Sequence, residues 1–233
     1  MRCPACDELL PFKWFDVPKA PFICKTCYRK LKYNNGHRCF ICSRPLPSEF
    51  ETYCPDCKKT KRFFDAGLAM LLHDEFAKKI IYGLKFSAHK DNAKFIGYEM
   101  ARCFAKTIKL WQADAIIPIP LHKKKERKRG FNQSKIIADE LSQNLQAQYG
   151  INIKVDSDFL LRTSNTKPQK NLNAKERAKN VQGAFFVSQI LKYESVILID
   201  DIFTSGATLN EAARMLKESG VKKVYFLAVS IVY

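Results

Sequence analysis

The stretch "VILIDDIFTSGAT", residues 196–208, decides the fold. Four aliphatic residues run into two carboxylates, Asp200 and Asp201, and then into the small residues Thr204, Ser205, Gly206 and Ala207, before Thr208 opens a new pattern. An aliphatic run without polar alternation marks a strand covered on both faces, which belongs to a parallel α/β sheet. A helix is predicted over 208–219, with Leu209, Ala212, Ala213 and Leu216 on its apolar stripe and Gly220 ending it. The junction therefore falls at the carboxyl edge of a sheet, where open α/β folds bind ligands. Turn N–H groups, helix dipole and hydroxyls together can cradle a phosphate. The two acids need another target, either the vicinal hydroxyls of a ribose or a divalent cation. A sugar phosphate satisfies both demands. The plain structural alternative makes Thr208 an N-cap and Glu211 its capping-box partner, but capping gives no reason for two adjacent acids. Neither GxxxxGK[ST] nor GxGxxG occurs, so P-loop and dinucleotide-binding fingerprints are absent.

Working outward, strands and helices alternate. "DAGLAMLLH" reads as a strand, 75–84 and 92–110 as helices, and "AIIPIP" as a buried strand. Residues 132–148 read as a helix with Ile137, Leu141 and Leu145 on one face; "GAFFV", "SVILID" and "KVYFLAVSIVY" complete the strands. Residues 62–233 are thus expected to form a mainly parallel sheet flanked by helices, preceded by a separate module over 1–61.

That module is defined by cysteine. Eight of the nine form pairs with two intervening residues: Cys3/Cys6, Cys24/Cys27, Cys39/Cys42 and Cys54/Cys57. "MRCPACDELL" lacks the apolar core of a secretory signal, and no stretch approaches the roughly 20 apolar residues that span a bilayer. A cytoplasmic, reducing location is expected, where such pairs are zinc knuckles rather than disulfides. Two knuckles make a closed four-thiolate site, so four supply two structural zinc ions. Sequential pairing joins Cys3, Cys6, Cys24 and Cys27 at one ion and Cys39, Cys42, Cys54 and Cys57 at the other; a crossed pairing also satisfies the spacing. The metal folds about 60 residues that have little core of their own.

Forty Lys and Arg against 23 Asp and Glu give a formal net charge of +17, which eight thiolates and two zinc ions bring to about +13. A polyanionic partner fits that balance. "HKKKERKRG" at 122–130 reads as a basic loop directly after a buried strand, with Arg127 and Arg129 best suited to grip phosphate oxygens. Phe15, Phe22, Tyr28, Tyr33 and Phe40 around the knuckles are either a mini-core or a stacking platform, and the four histidines have no partner legible in the sequence.

The aliphatics, the paired acids and the Thr204–Thr208 turn resemble the motif by which type I phosphoribosyltransferases bind 5-phosphoribosyl 1-pyrophosphate (PRPP). Together with "YGLKF" (82–86), "PIPLHKKKERKRGFNQS" (118–134), "KPQKNLNAKERAKNVQGAF" (167–185) and the zinc module, they make the whole chain similar to the ComF/GntX family of ComFC-like competence proteins. The resemblance implies a type I phosphoribosyltransferase fold. It implies magnesium and PRPP held by Asp200, Asp201, Thr204, Ser205, Gly206, Ala207 and Thr208, with Arg127 and Arg129 on the pyrophosphate. It further implies single-stranded DNA handling in natural transformation, alongside uptake or helicase components at the inner face of the membrane. Lys123, Lys124, Lys125, Arg127, Lys128 and Arg129, with Arg162, Lys167, Lys170 and the 58–62 connector, would then flank the strand. The other readings are an active transferase of unidentified acceptor, its chemistry centred on Asp200 and Asp201, or a PRPP-sensing regulator without catalysis.

Overall fold

The computed structural model describes residues 2–10, 22–86, 91–163, 176 and 180–233. Two short helices, α1 (Lys25–Tyr28) and α2 (Pro55–Lys59), lie in the cysteine module. The body follows as β1 (Ala66–Leu72), α3 (Glu75–Phe86), α4 (Asp91–Trp111), β2 (Ala115–Pro118), α5 (Lys123–Arg129) and α6 (Gln133–Tyr149). It continues with β3 (Lys154–Val155), β4 (Leu160–Arg162), β5 (Phe185–Val187), β6 (Ser195–Phe203), α7 (Ala207–Glu218) and β7 (Lys223–Ile231).

Five strands form one sheet in the order β1-β7-β6-β2-β3, every pairing parallel, while β4 and β5 pair antiparallel beside it. From β2 the chain crosses through α6 to β3 on one side; from β6 it crosses through α7 to β7 on the other. Connections that depart in opposite directions leave a crevice at the carboxyl ends of β2 and β6, the place where such sheets take ligands.

Strand alternation sorts the core into two layers. Ile197 and Ile199 of β6 face α3, α4 and α6, whose Ile80, Met100 and Leu141 are fully buried. Val196 and Leu198 face α7, whose Leu209, Ala212, Ala213 and Leu216 fill the stripe expected of them. Close approach of α4 and α6 rests on Gly97, where a Cβ would lie 2.5 Å from Glu140 Cβ.

The cysteine module covers the β1 edge. Asn34 N–H donates to Met70 O at 2.8 Å, Leu72 N–H donates to Lys32 O at 2.9 Å, and Tyr33 bridges Leu71 antiparallel, so 32–34 extends the sheet. An otherwise unpaired edge is thereby closed. Cys3, Ile23 and Cys27 join the layer of α3, α4 and α6, whereas Cys39, Cys42 and Cys54 join the layer of α7. The two cysteine sets thus straddle the sheet, sharing its core rather than standing apart from it.

Three local expectations change. The basic stretch at 123–129 is helix α5, not a loop: the His122 side chain accepts from Lys124 N–H, and Gly130 ends the helix at φ 83°. Strand β6 runs through both acids to Phe203 instead of stopping at them. Helix α7 starts one residue early with Gly206 as its N-cap, and Glu211 accepts from Gly183 N–H (2.7 Å) and pairs with Arg214 (2.7 Å) rather than closing a capping box.

Candidate functional site

Asp200 and Asp201 follow directly on Ile199, the last residue of β6 paired with β2. Asp201 follows Ile197 and Ile199 to the side of α3 and α6, where Lys85 Nζ meets its Oδ2 at 2.6 Å and Gln133 Nε2 donates to the same oxygen at 3.2 Å. Lys85 and Asp201 are 16% and 8% exposed, so the pair is largely shielded from water. Asp200 accepts from the Asp201 N–H at 2.9 Å, with Ser134 Oγ of α6 at 3.5 Å. Burial, then the neighbouring Asp201 carboxylate, pushes Asp200 up to about 7.

The segment "RGFNQS" assembles this floor. Asn132 caps α6 by accepting from Ser134 N–H and donates from Nδ2 to Ile119 O at 3.1 Å. Gln133 and Ser134 then reach the acids, while Arg129 donates to Gln133 Oε1 from the last turn of α5. Arg162 on β4 stacks over Phe185 (5.3 Å) and lies within electrostatic reach of Asp200. Lys125 feels both Arg162 and Arg129, although burial is the larger cause of its lowered pKa. Lys125, Arg129 and Arg162 therefore form one cationic rim near Asp200. Lys123, Lys124, Arg127 and Lys128 are exposed on α5, and Lys167 and Lys170 lie outside the described residues.

Between Asp200 and the start of α7 opens a cavity of about 350 Å³, lined by His73, Tyr82, Lys85, Asp200, Asp201 and residues of the 202–209 turn. The turn rests on stacked rings: Phe203 lies parallel to Phe226 (5.0 Å), which Phe64 meets edge-on (4.9 Å). Gly206 sits at φ 75°, and a Cβ there would come within 2.7 Å of the Phe203 ring. Among the described residues, the N–H groups of Ser205 and Gly206 donate to nothing within the protein. His73, whose Nδ1 lies 2.8 Å from Ser230 Oγ, is held below its usual range by burial and then by Lys85.

Sequence reasoning placed Asp200, Asp201 and the turn in this cavity but gave no role to Lys85, Gln133, Ser134 or His73. Lys85, Gln133 and Ser134 were marked only by lying in segments that carried the resemblance, and His73 by nothing.

Both cysteine sets converge in the sequential pairing, the four sulfurs of each lying within 4.8 Å of one another. Zinc–sulfur bonds of about 2.3 Å make tetrahedral edges of about 3.8 Å. Cys6 and Cys24 sulfurs are 3.8 Å apart and those of Cys42 and Cys54 are 3.6 Å apart, so the donor sets fit zinc. Phe22 packs edge-on against Tyr98 (5.9 Å) and Tyr28 against Tyr33 (6.4 Å), as mini-core aromatics, whereas Phe40 is 73% exposed; Phe15 lies outside the described residues.

Family models identify a double zinc ribbon domain over residues 1–58 and a phosphoribosyl transferase domain over 127–230. The chain therefore matches a double zinc ribbon at its amino end and a phosphoribosyl transferase domain over much of its α/β body. Its similarity extends over most of its length to Competence protein F of Haemophilus influenzae, 28% identical over 212 residues and covering 87% of each chain. DNA utilization protein YhgH of Escherichia coli (strain K12) is 27% identical over 222 residues, 88% of this chain and 94% of that one. Competence protein ComFC of Bacillus subtilis is 29% identical over 206 residues, 85% and 79%. Over most of its length the chain is similar to proteins named for competence and DNA utilization, in line with the resemblance carried by its motifs.

Proposed function

We propose that the cavity binds magnesium and PRPP, and that the protein uses this site while handling single-stranded DNA in a competence-type role. The carrying observation is the pair of adjacent acids lining one cavity at the β2/β6 crevice, just before a turn whose N–H groups at Ser205 and Gly206 are unbonded among the described residues. The turn would take the 5′-phosphate and the acids the ribose hydroxyls. Lys125, Arg129 and Arg162 supply positive charge for a pyrophosphate. Carboxylate oxygen suits magnesium, and Asp200 would hold it with the ligand's own oxygens, since Asp201 is already engaged by Lys85. When bound, the ion neutralises pyrophosphate charge and so favours its departure.

Relatives named for competence and DNA utilization support the wider role, as do the exposed cations of α5 and the exposed rings of Phe40 and Phe50 on the second ribbon. Cations track a backbone while rings stack bases. Calorimetry with PRPP and magnesium tests the site: replacing Asp200→Asn with Asp201→Asn should weaken binding by roughly 1–3 kcal/mol. Unchanged affinity removes the acids from the reading. Filter binding of single-stranded DNA at low salt tests the wider role, which fails if no affinity is found.

A further inference from the structure

Arg44 and Arg62 connect the second cysteine set to the turn. Arg44 follows the knuckle Cys39–Cys42, whose loop is closed by Cys39 N–H donating to Arg44 O at 2.8 Å. Its Nη1 pairs with Asp56 Oδ2 at 2.7 Å, between Cys54 and Cys57, and its Nη2 donates to Thr204 O at 3.1 Å. Arg62, five residues beyond Cys57, donates from Nη1 to Ser205 O at 3.2 Å, and its guanidinium lies over Phe64 (5.9 Å). Two arginines, one held by both knuckles of the set and one just beyond the second, thereby grip consecutive carbonyls of the turn.

Peptide geometry gives those contacts a consequence. In a trans peptide the C=O and the following N–H point in opposite directions. Fixing Thr204 C=O fixes Ser205 N–H, and fixing Ser205 C=O fixes Gly206 N–H, each aimed away from its arginine. Among the described residues neither arginine lines the cavity, whereas Thr204 and Gly206 do. We propose that the second zinc ribbon is a working part of the sugar-phosphate site: Arg44 and Arg62 are positioning residues that hold the turn from behind and present its N–H groups to a 5′-phosphate. This rests on the ligand reading above, and it assigns the zinc module a function beyond folding itself. Zinc, when bound, fixes the knuckles from which the arginines reach. The guanidinium fork matters because Arg44 must hold a carboxylate and a carbonyl together, which an ammonium on one stem does not do.

The test uses the full-length zinc-loaded protein, with Arg44→Met and Arg62→Met together, and Arg44→Lys alone in case the double variant does not fold. Nitrogen-15 relaxation reads the turn without any ligand. In the parent, the Ser205 and Gly206 amides should show order parameters near the rigid value of ~0.85, falling below about 0.6 in the double variant and to an intermediate value in Arg44→Lys. Zinc content should stay unchanged. Calorimetry then compares fragments of PRPP: affinity for ribose 5-phosphate should fall at least tenfold, while pyrophosphate is unaffected. A rigid turn in the variants, or equal loss of both ligands, overturns the proposal. If the parent protein binds neither PRPP nor ribose 5-phosphate, the ligand reading fails, and relaxation alone decides whether the ribbon holds the turn.

Discussion

Asp200 and Asp201 are neighbours in the chain with opposite surroundings. Asp201 has a lysine at 2.6 Å, whereas Asp200 has its proton held up to about 7 by burial and by Asp201. An unfolded chain would lose that proton near 3.8, so Asp200's contribution to stability is fully present below about pH 4 and is lost as pH rises through about 7. Asp200→Asn should therefore raise the melting temperature at pH 8 in magnesium-free buffer and change it little at pH 4. Equal effects at both pH values would refute the raised titration. Magnesium and PRPP favour the ionised carboxylate, so their affinity should increase as pH goes from 5 to 7 in a calorimetric series. At this scale the acids and the turn were legible, because a local pattern carries them. Lys85 was not, since nothing in "YGLKF" names a partner 116 residues away.

At the scale of elements, the turn and α5 carry the chemistry. Gly206 combines a left-handed backbone with a close ring, so Gly206→Ala should cost about 1–2 kcal/mol for the backbone alone and displace Phe203 further. Thermal melting and ribose 5-phosphate binding should both decline; a variant with parent-like affinity would show that the turn tolerates other shapes. Helix α5 escaped the sequence because it has no apolar stripe. Its cap residues His122 and Gly130 and its C-terminal Arg127, Lys128 and Arg129 favour the helix, but a run of cations reads as solvated loop. Replacing Lys123, Lys124, Lys125, Arg127, Lys128 and Arg129 with Ser should lower single-stranded DNA affinity. Each phosphate contact removed should also reduce the salt slope by about 0.7. An unaltered slope would move the strand off α5.

For the whole molecule, the cysteine sets decide cooperativity. A ribbon with its own small core would melt away from an intact sheet on chelation. Here Cys3 and Cys27 pack into one layer, Cys39, Cys42 and Cys54 into the other, and 32–34 hydrogen-bonds along β1. Metal analysis should find about two zinc ions per chain, and a chelator should lower the melting temperature of the sheet together with that of the ribbons, in one calorimetric transition. Two separated transitions would show that the shared core adds little.

The sequence by itself determined the parallel α/β class, the acid-to-turn junction and the four cysteine pairs. Each is written in short-range terms: a run of aliphatics, a change of period, a fixed spacing between thiolates. Only the tertiary structure decided which partners each acid takes, that Gln133 and Ser134 support them, that the cysteine pairs combine sequentially, and that Arg62 turns inward from the basic connector. Arg44 and Thr204 stand 160 positions apart and Arg62 and Ser205 stand 143 apart. No local pattern encodes such pairs. They form where a shared core brings a zinc knuckle over the start of α7, because burying apolar surface on both sheet faces fixes where the intervening polar groups meet.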